Sequence, residues 1–239
     1  MHRFFAPDIA ETLTLPEVES GHCVRVLRLK EGDEIEVVDG KGTCYLCRIT
    51  LAHHKRCAVE IVSEENVAPH WGAGITIAIA PTKNLDRMEW MTEKCTEMGV
   101  DAIIPLRCRF SERKELKTER LVKILVSAMK QSLKSVLPDL SEMTPIADVI
   151  KMPFQGRKYI AYCDPSMPRR LFAHEYKPDE AALIMIGPEG DFSPEEIKMA
   201  LDAGFVPISL GDSRLRTETA AVMACAMCHT LKQAHSCSD

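Results

Sequence analysis

The sequence contains no uninterrupted apolar stretch of the roughly 20 residues that a bilayer-spanning helix requires. Its first residues, Met1-His2-Arg3-Phe4-Phe5-Ala6-Pro7, lack the apolar core of a signal peptide, so a soluble, cytoplasmic chain with no membrane partner is expected. No G-x-x-x-x-G-K-[ST] string is present, which disfavours a P-loop nucleotide site. The G-x-G spacings at Gly40-Gly42 and Gly72-Gly74 do not form a strand-to-helix fingerprint, so an ordinary Rossmann site is disfavoured too. G-x-S-x-G is also missing, and neither of two loops near the end of the chain holds a histidine to serve as a hydrolase base.

What is present builds a sizeable core. The chain has 239 residues and 46% hydrophobic content, which suits two modest domains. In residues 1–70, Asp33 to Asp39 alternates toward the turn Gly40-Lys41-Gly42, Thr43 to Ile49 alternates again, and Cys57 to Val62 makes a third run. This pattern predicts a small antiparallel barrel or sheet. It breaks near Val67 to Gly74, and a second domain, 74–239, follows. There the apolar runs Ile75 to Ala80, Ala102 to Leu106, Tyr159 to Tyr162, Ala181 to Ile186 and Phe205 to Leu210 alternate with helical segments, predicting a parallel α/β sheet. In the helix near residues 85–98, Met88, Met91, Cys95 and Met98 form the inward stripe, while Asp86, Glu89, Glu93 and Glu97 face water.

Cysteine is plentiful: there are ten, including two Cys-x2-Cys pairs. Cys44 and Cys47 fall in an alternating segment, where residues three apart point to opposite faces and cannot chelate together. Cys225 and Cys228 share a helix face beside His229, yet the surrounding Ala221 to Met227 reads as packing. Reduced, buried thiols are expected, and no metal.

Charge is segregated. The net charge is −5, yet Arg107, Arg109, Arg113, Lys114, Lys117, Arg120, Lys123, Lys130 and Lys134 face only Glu112, Glu115 and Glu119 within one segment. Phosphate binding depends on local potential, so this segment is a candidate RNA surface, with a solvated helix face as the alternative. A second cluster, His22, Arg25, Arg28 and Lys30, allows the same two interpretations.

Two loops near the end hold the candidate site. Ile186-Gly187-Pro188-Glu189-Gly190-Asp191-Phe192 leads into Ser193-Pro194-Glu195-Glu196, which combines an N-cap hydroxyl, a proline at the first helical position and a glutamate three residues after the cap. Gly187 and Gly190 flank a turn that glycine suits through positive φ or close approach. Leu210-Gly211-Asp212-Ser213-Arg214-Leu215-Arg216 leads into Thr217-Glu218-Thr219-Ala220, a second helix opening with an acid in its first turn. Two such junctions can enclose a small ligand at the carboxyl ends of parallel strands, or can be well-capped connections and nothing more.

These loop strings, with Lys83, Arg87, Lys94, Glu97, Met98 and Gly99 upstream, resemble the bacterial 16S ribosomal RNA uracil-N3 methyltransferase family of the SPOUT class. Arg3-Phe4-Phe5, His22, Val26-Leu27-Arg28 and Gly32-Asp33 extend the likeness into the first domain, which is similar to a PUA-like RNA-binding barrel. The resemblance implies a C-terminal α/β domain tied in a trefoil knot, S-adenosylmethionine bound in the knot, and a homodimer with the site near its interface. The small-residue face Ala220, Ala221, Ala224 and Cys228 fits close helix packing with a partner, or ordinary core. The cofactor residues it implies are Ile186, Gly187, Pro188, Glu189, Gly190, Leu210, Gly211, Leu215, Arg216, Thr217, Glu218, Thr219 and Ala220.

Arg216 is the implied catalytic residue, stabilising a developing uracil anion or orienting the base, unless it pairs with Glu189 or Glu218. The implied contacts to 16S rRNA in the small ribosomal subunit are Arg3, Arg25, Arg28, Arg109, Arg113, Lys123, Lys130 and Lys134. Methylation of a ribose hydroxyl or another RNA, and noncatalytic RNA binding, are the rival activities. The chain departs from the family pattern at Asp191, at Asp212-Ser213-Arg214 and at Lys130-Gln131-Ser132-Leu133-Lys134.

Overall fold

The computed structural model describes residues 1–69, 73–163 and 169–236. The chain forms two compact units, one of residues 1–70 with 126–137 and the other of residues 71–125 with 138–239. Residues 126–137, which the hydrophobic pattern assigns to the second domain, cluster with the first unit.

In the first unit, β1 (Arg3–Phe5) pairs in parallel with β2 (Glu34–Val38). β2 runs antiparallel to β3 (Thr43–Leu51), and β3 antiparallel to β4 (Ala58–Asn66). The three alternating runs therefore become the antiparallel strands, and the N-terminal strand adds a parallel edge. Alternation places Ile35 and Val37 of β2 with Tyr45, Cys47 and Ile49 of β3 in one core, packed with Phe4, Leu15 and Val59. Cys44 falls outside that core, its sulfur beside the Arg3 guanidinium, so the strand separates the two thiols. Two short helices, α1 (Ile9–Thr12) and α2 (Glu17–Gly21), precede β2, and α2 widens into a π-turn over His22–Val26.

The second unit contains β5 (Ile75–Ile79), β6 (Ala102–Arg107), β7 (Asp139–Leu140), β8 (Thr144–Pro145), β9 (Arg157–Ala161), β10 (Arg170–Leu171), β11 (Ala182–Ile186) and β12 (Val206–Ser209). Every pairing among them is parallel. β5, β6, β9, β11 and β12 match the five apolar runs; β7, β8 and β10 are two residues each, too short for periodicity to reveal. The order across the sheet is β10-β12-β9-β11-β5-β6-β7, with β8 also on β6. β11 is buried at every position, as a central parallel strand covered on both faces must be.

The helices are α3 (Leu85–Glu97), α4 (Glu119–Gln131), α5 (Ile146–Lys151), α6 (Phe172–Glu175), α7 (Pro194–Asp202) and α8 (Thr217–Ser236). Val149 of α5 and Ile197 of α7 pack with Ala78, Leu106, Ile160 and Met185 of the sheet. On α3, Met88, Met91 and Cys95 are fully buried and Met98 is half-buried, so the methionine stripe is core. α8 packs against α3, β5 and β11. Its small residues Ala221, Ala224, Cys225 and Cys228 are fully buried within the chain, and the Cys225 thiol donates to the Cys95 carbonyl. Ala221, Ala224 and Cys228 of the small-residue face are thus core in this chain, where small side chains let α8 approach α3 closely, whereas Ala220 is half-buried at the cavity. Among the described residues, no helix is long and apolar enough to cross a membrane.

Close packing of α8 predicts intolerance to added volume. Ala224→Leu forces four-carbon bulk into a fully buried position and should destabilise the fold by about 1–3 kcal/mol, lowering Tm by roughly 2–10 °C in calorimetry. An unchanged Tm would show that the helix has room to spare.

Candidate functional site

The first loop begins where β11 ends. Ser193 caps α7 reciprocally: its Oγ accepts from the Glu196 amide at 3.3 Å, and Glu196 Oε2 accepts from the Ser193 amide at 2.8 Å. The capping box reads as its sequence predicts. Phe192 is buried, and a Cβ at Gly187 would lie 3.1 Å from the Phe192 ring, so Gly187 serves close approach. The left-handed residue of this turn is neither Gly187 nor Gly190 but Asp191, at φ 64°. Aspartate tolerates that conformation because its short side chain bonds locally. Asp191 Oδ1 accepts from the Phe192 amide at 2.8 Å, and Oδ2 accepts from the Cys163 amide at 2.7 Å. The second bond clasps the loop to the chain leaving β9.

The other loop leaves β12, passes Gly211 at φ 123°, and stays exposed from Gly211 through Arg214 before α8 starts at Thr217. β9 lies between β11 and β12 in the sheet, so the chain leaving β9 lies between the two loops. Together the three strand ends enclose a cavity of about 920 Å³.

Of the residues that the resemblance implies, Ile186, Gly187, Pro188, Glu189, Gly190, Leu210, Gly211, Leu215, Arg216, Thr217 and Ala220 line this cavity. Glu218 and Thr219 do not line it. Glu218 is buried beside it, 3.6 Å from Arg87 Nε, which does reach the cavity, and its Oε2 is buried without a hydrogen bond. Glu189 accepts from the Lys83 amide at 3.1 Å. Both acids that could have held Arg216 therefore have other partners. Arg216 is exposed and makes no ion pair among the described residues.

Several lining residues escape the sequence motifs: Ala161 at the end of β9, Tyr162 and Cys163 after it, Arg169, and Ile208 and Ser209 on β12. The Tyr159 to Tyr162 run marks β9 as a strand, but only the sheet order puts its end in the site.

The implied RNA contacts divide sharply. Arg3 donates to Glu36 and to the Lys134 carbonyl, with only 12% of its side chain exposed. Lys130 pairs with Glu19 and is nearly as buried. Arg113 donates to the carbonyls of Thr82 and Lys83. Arg109 pairs with Glu195 at 3.0 Å on the surface, while its backbone amide donates to Glu196. The Glu195 amide, the Ser193 hydroxyl and then Arg109 hold the Glu195 carboxyl below the usual carboxylate range. Arg25, Arg28 and Lys123 are exposed, and Lys134 is half-buried.

Residues 70–229 match the model of an RNA methyltransferase domain, and residues 15–62 that of an RNA methyltransferase PUA domain. The chain is similar to the ribosomal RNA small subunit methyltransferase E of Synechocystis sp., at 31% identity over 232 residues, covering 93% of this chain and 74% of that protein. Its structure is similar to the crystal structure of a "probable rRNA-methyltransferase" from Porphyromonas gingivalis, with TM-score 0.93 and 46% identity over 98% of this chain and 100% of that one. It is also similar to a ribosomal RNA small subunit methyltransferase E from Neisseria gonorrhoeae bound to S-adenosyl methionine, with TM-score 0.82 and 30% identity over 97% and 98% of the two chains.

The Asp191 clasp predicts local dynamics. Asp191→Gly keeps the left-handed backbone at no steric cost but loses both side-chain bonds. Hydrogen exchange at the Cys163 and Phe192 amides should then accelerate about three- to tenfold, with the buried strand β11 unaffected. Unchanged exchange at Cys163 would show that the carboxylate does not hold the loop.

Proposed function

Because this chain belongs to the RNA methyltransferase family, we propose that it methylates N3 of one uridine in the decoding region of 16S rRNA, within the small ribosomal subunit, using S-adenosylmethionine. The observation that carries this proposal is the cavity formed by the ends of β9, β11 and β12. Its volume suits a small-molecule cofactor. Its lining mixes the apolar Ile186, Leu210 and Leu215 with backbone that Gly187, Gly190 and Gly211 leave uncovered. Those residues fit an adenine ring, a ribose and an amino acid better than they fit a metal or a phosphate chain. The Synechocystis and Neisseria relatives are named small-subunit ribosomal RNA methyltransferases, and the Neisseria protein binds the same methyl donor.

When bound, the cofactor supplies a methyl group on a positively charged sulfur. Transfer needs donor and acceptor held in line, so a cradle clasped by Asp191 and by Glu189 contributes chiefly through positioning. The acceptor N3 must lose its proton, leaving negative charge spread over the uracil carbonyl oxygens. Arg216, at the cavity wall with no ion pair among the described residues, stabilises that charge or orients the base. The target base must leave its stack to be reached.

The domain division 1–70 and 74–239, the trefoil knot, a cytoplasmic setting and a homodimer belong to the same proposal, supported by the family resemblance. With Ala221, Ala224 and Cys228 of α8 buried inside the chain, exposed Trp90 on α3 and Met223 on α8 supply apolar surface for a partner copy.

Mass spectrometry of small subunits from a strain lacking the gene tests the activity. Adding the protein and S-adenosylmethionine should convert one unmodified uridine to its N3-methyl form; a methylated ribose, another modified RNA or no change at any uridine defeats the assignment. Arg216→Ala should slow that conversion roughly a hundred- to a thousandfold while cofactor affinity changes little. Near-normal methylation by this variant would remove Arg216 from the chemistry.

A further inference from the structure

We propose that the tip of the β3–β4 hairpin, His53-His54-Lys55-Arg56, joins Arg25 of the π-turn in one surface that grips the phosphate backbone of the RNA. This inference rests on RNA being the substrate. It relocates the small-domain contact, because Arg3 is already committed to Glu36 and the Lys134 carbonyl.

The two elements lie about thirty residues apart in sequence but are held together. The Cys57 amide donates to Ser20 Oγ at 2.9 Å, the Leu15 amide donates to the Cys57 carbonyl at 2.9 Å, and the Cys23 and Cys57 sulfurs are 4.0 Å apart. The His54 carbonyl lies against Gly21, at 3.6 Å from where a Cβ would stand. Within the tip, the Arg56 amide donates to the His53 carbonyl at 3.0 Å, closing a four-residue turn. The hairpin tip is therefore fixed beside the element that carries Arg25, and little ordering remains to be done on binding.

Its charges are uncommitted. Arg25, Lys55 and Arg56 are exposed, and none forms an ion pair among the described residues. Arg48, on the neighbouring strand, is by contrast held between Glu34 and Glu60 at 3.0 Å each. Two acids border the tip: Glu31, which accepts from the Ala52 amide, and Glu17, which acts electrostatically on His54. Burial, and then the charges of Arg25, His53 and Lys55, hold His54 below its ordinary pKa. Positive charge is thus crowded at this point, and an anion would relieve the repulsion. His53 adds a ring donor: its Nδ1 accepts from the Lys55 amide at 3.3 Å, which leaves Nε2 as the ring's N–H. A phosphate backbone, with closely spaced acceptors and no requirement for a pocket, matches two guanidinium groups, an ammonium and an imidazole N–H on these two adjoining elements.

The test compares the double variant Lys55→Ala/Arg56→Ala with Arg25→Ala/Arg28→Ala, in filter binding of full-length protein to deproteinised 16S rRNA across a KCl series. Losing two phosphate contacts should weaken binding roughly ten- to a hundredfold at low salt. It should also flatten the slope of log affinity against log salt by about 1.4–1.8. Melting temperature and calorimetric S-adenosylmethionine affinity should stay at wild-type values, separating the effect from misfolding. If the tip variant keeps the wild-type slope while the Arg25/Arg28 variant loses it, the surface stops short of the hairpin and this inference alone fails. If neither variant changes the slope, the small domain does not hold RNA, and the wider assignment of that domain fails with it.

Discussion

Strand β9 is hydrogen-bonded on both edges, to β11 through five paired positions from Arg157 to Ala161 and to β12 through three, and the cavity depends on this insertion. Parallel strands deliver their carboxyl ends to one edge of the sheet, so three loops emerge side by side where the chain order alone brings two. β11 and β12 follow one another in sequence with α7 between them, yet they are not neighbours in the sheet. The gap between their loops has the width of a strand. That gap is filled at its base by the end of β9 and remains open above it as a ligand-sized space.

The loops around that space are held mostly by bonds between side chains and backbone amides. Glu189 accepts from Lys83 after β5, Asp191 from Cys163 after β9, and Glu196 from Arg109 after β6. The first two carboxylates join neighbouring strand ends and Glu196 reaches across β5 to the chain leaving β6, and charge-assisted bonds to amides are stronger than bonds between neutral groups. Arg113 donates to the carbonyls of Thr82 and Lys83, so a basic residue distant in sequence braces the segment to which Glu189 is bonded.

A guanidinium with its donors satisfied internally has less to offer a phosphate than one facing only water. By that criterion the basic residues fall into two groups that composition does not distinguish. Arg3, Arg113 and Lys130 hold the protein together, while Arg25, Arg28, Lys55, Arg56 and Lys123 point electrostatic potential outward. An overall charge of −5 conceals the second group, because the compensating acids are spread over the whole chain.

Much of the architecture was legible in the sequence. Alternation marked β2, β3 and β4; isolated apolar runs marked β5, β6, β9, β11 and β12; and Ser193-Pro194-Glu195-Glu196 marked the start of α7 to the residue. These signals are local, set by side-chain period, by the φ of proline and by the reach of a capping side chain, so they survive without knowledge of the fold. The strand order, the place of β9 in the site, the left-handed conformation at Asp191 and the internal partners of Arg3 and Arg113 were not legible. Each depends on which distant segments meet. A hydrogen-bond donor cannot be assigned to protein or to ligand until its neighbours in space are known, and those neighbours were decided by tertiary packing alone.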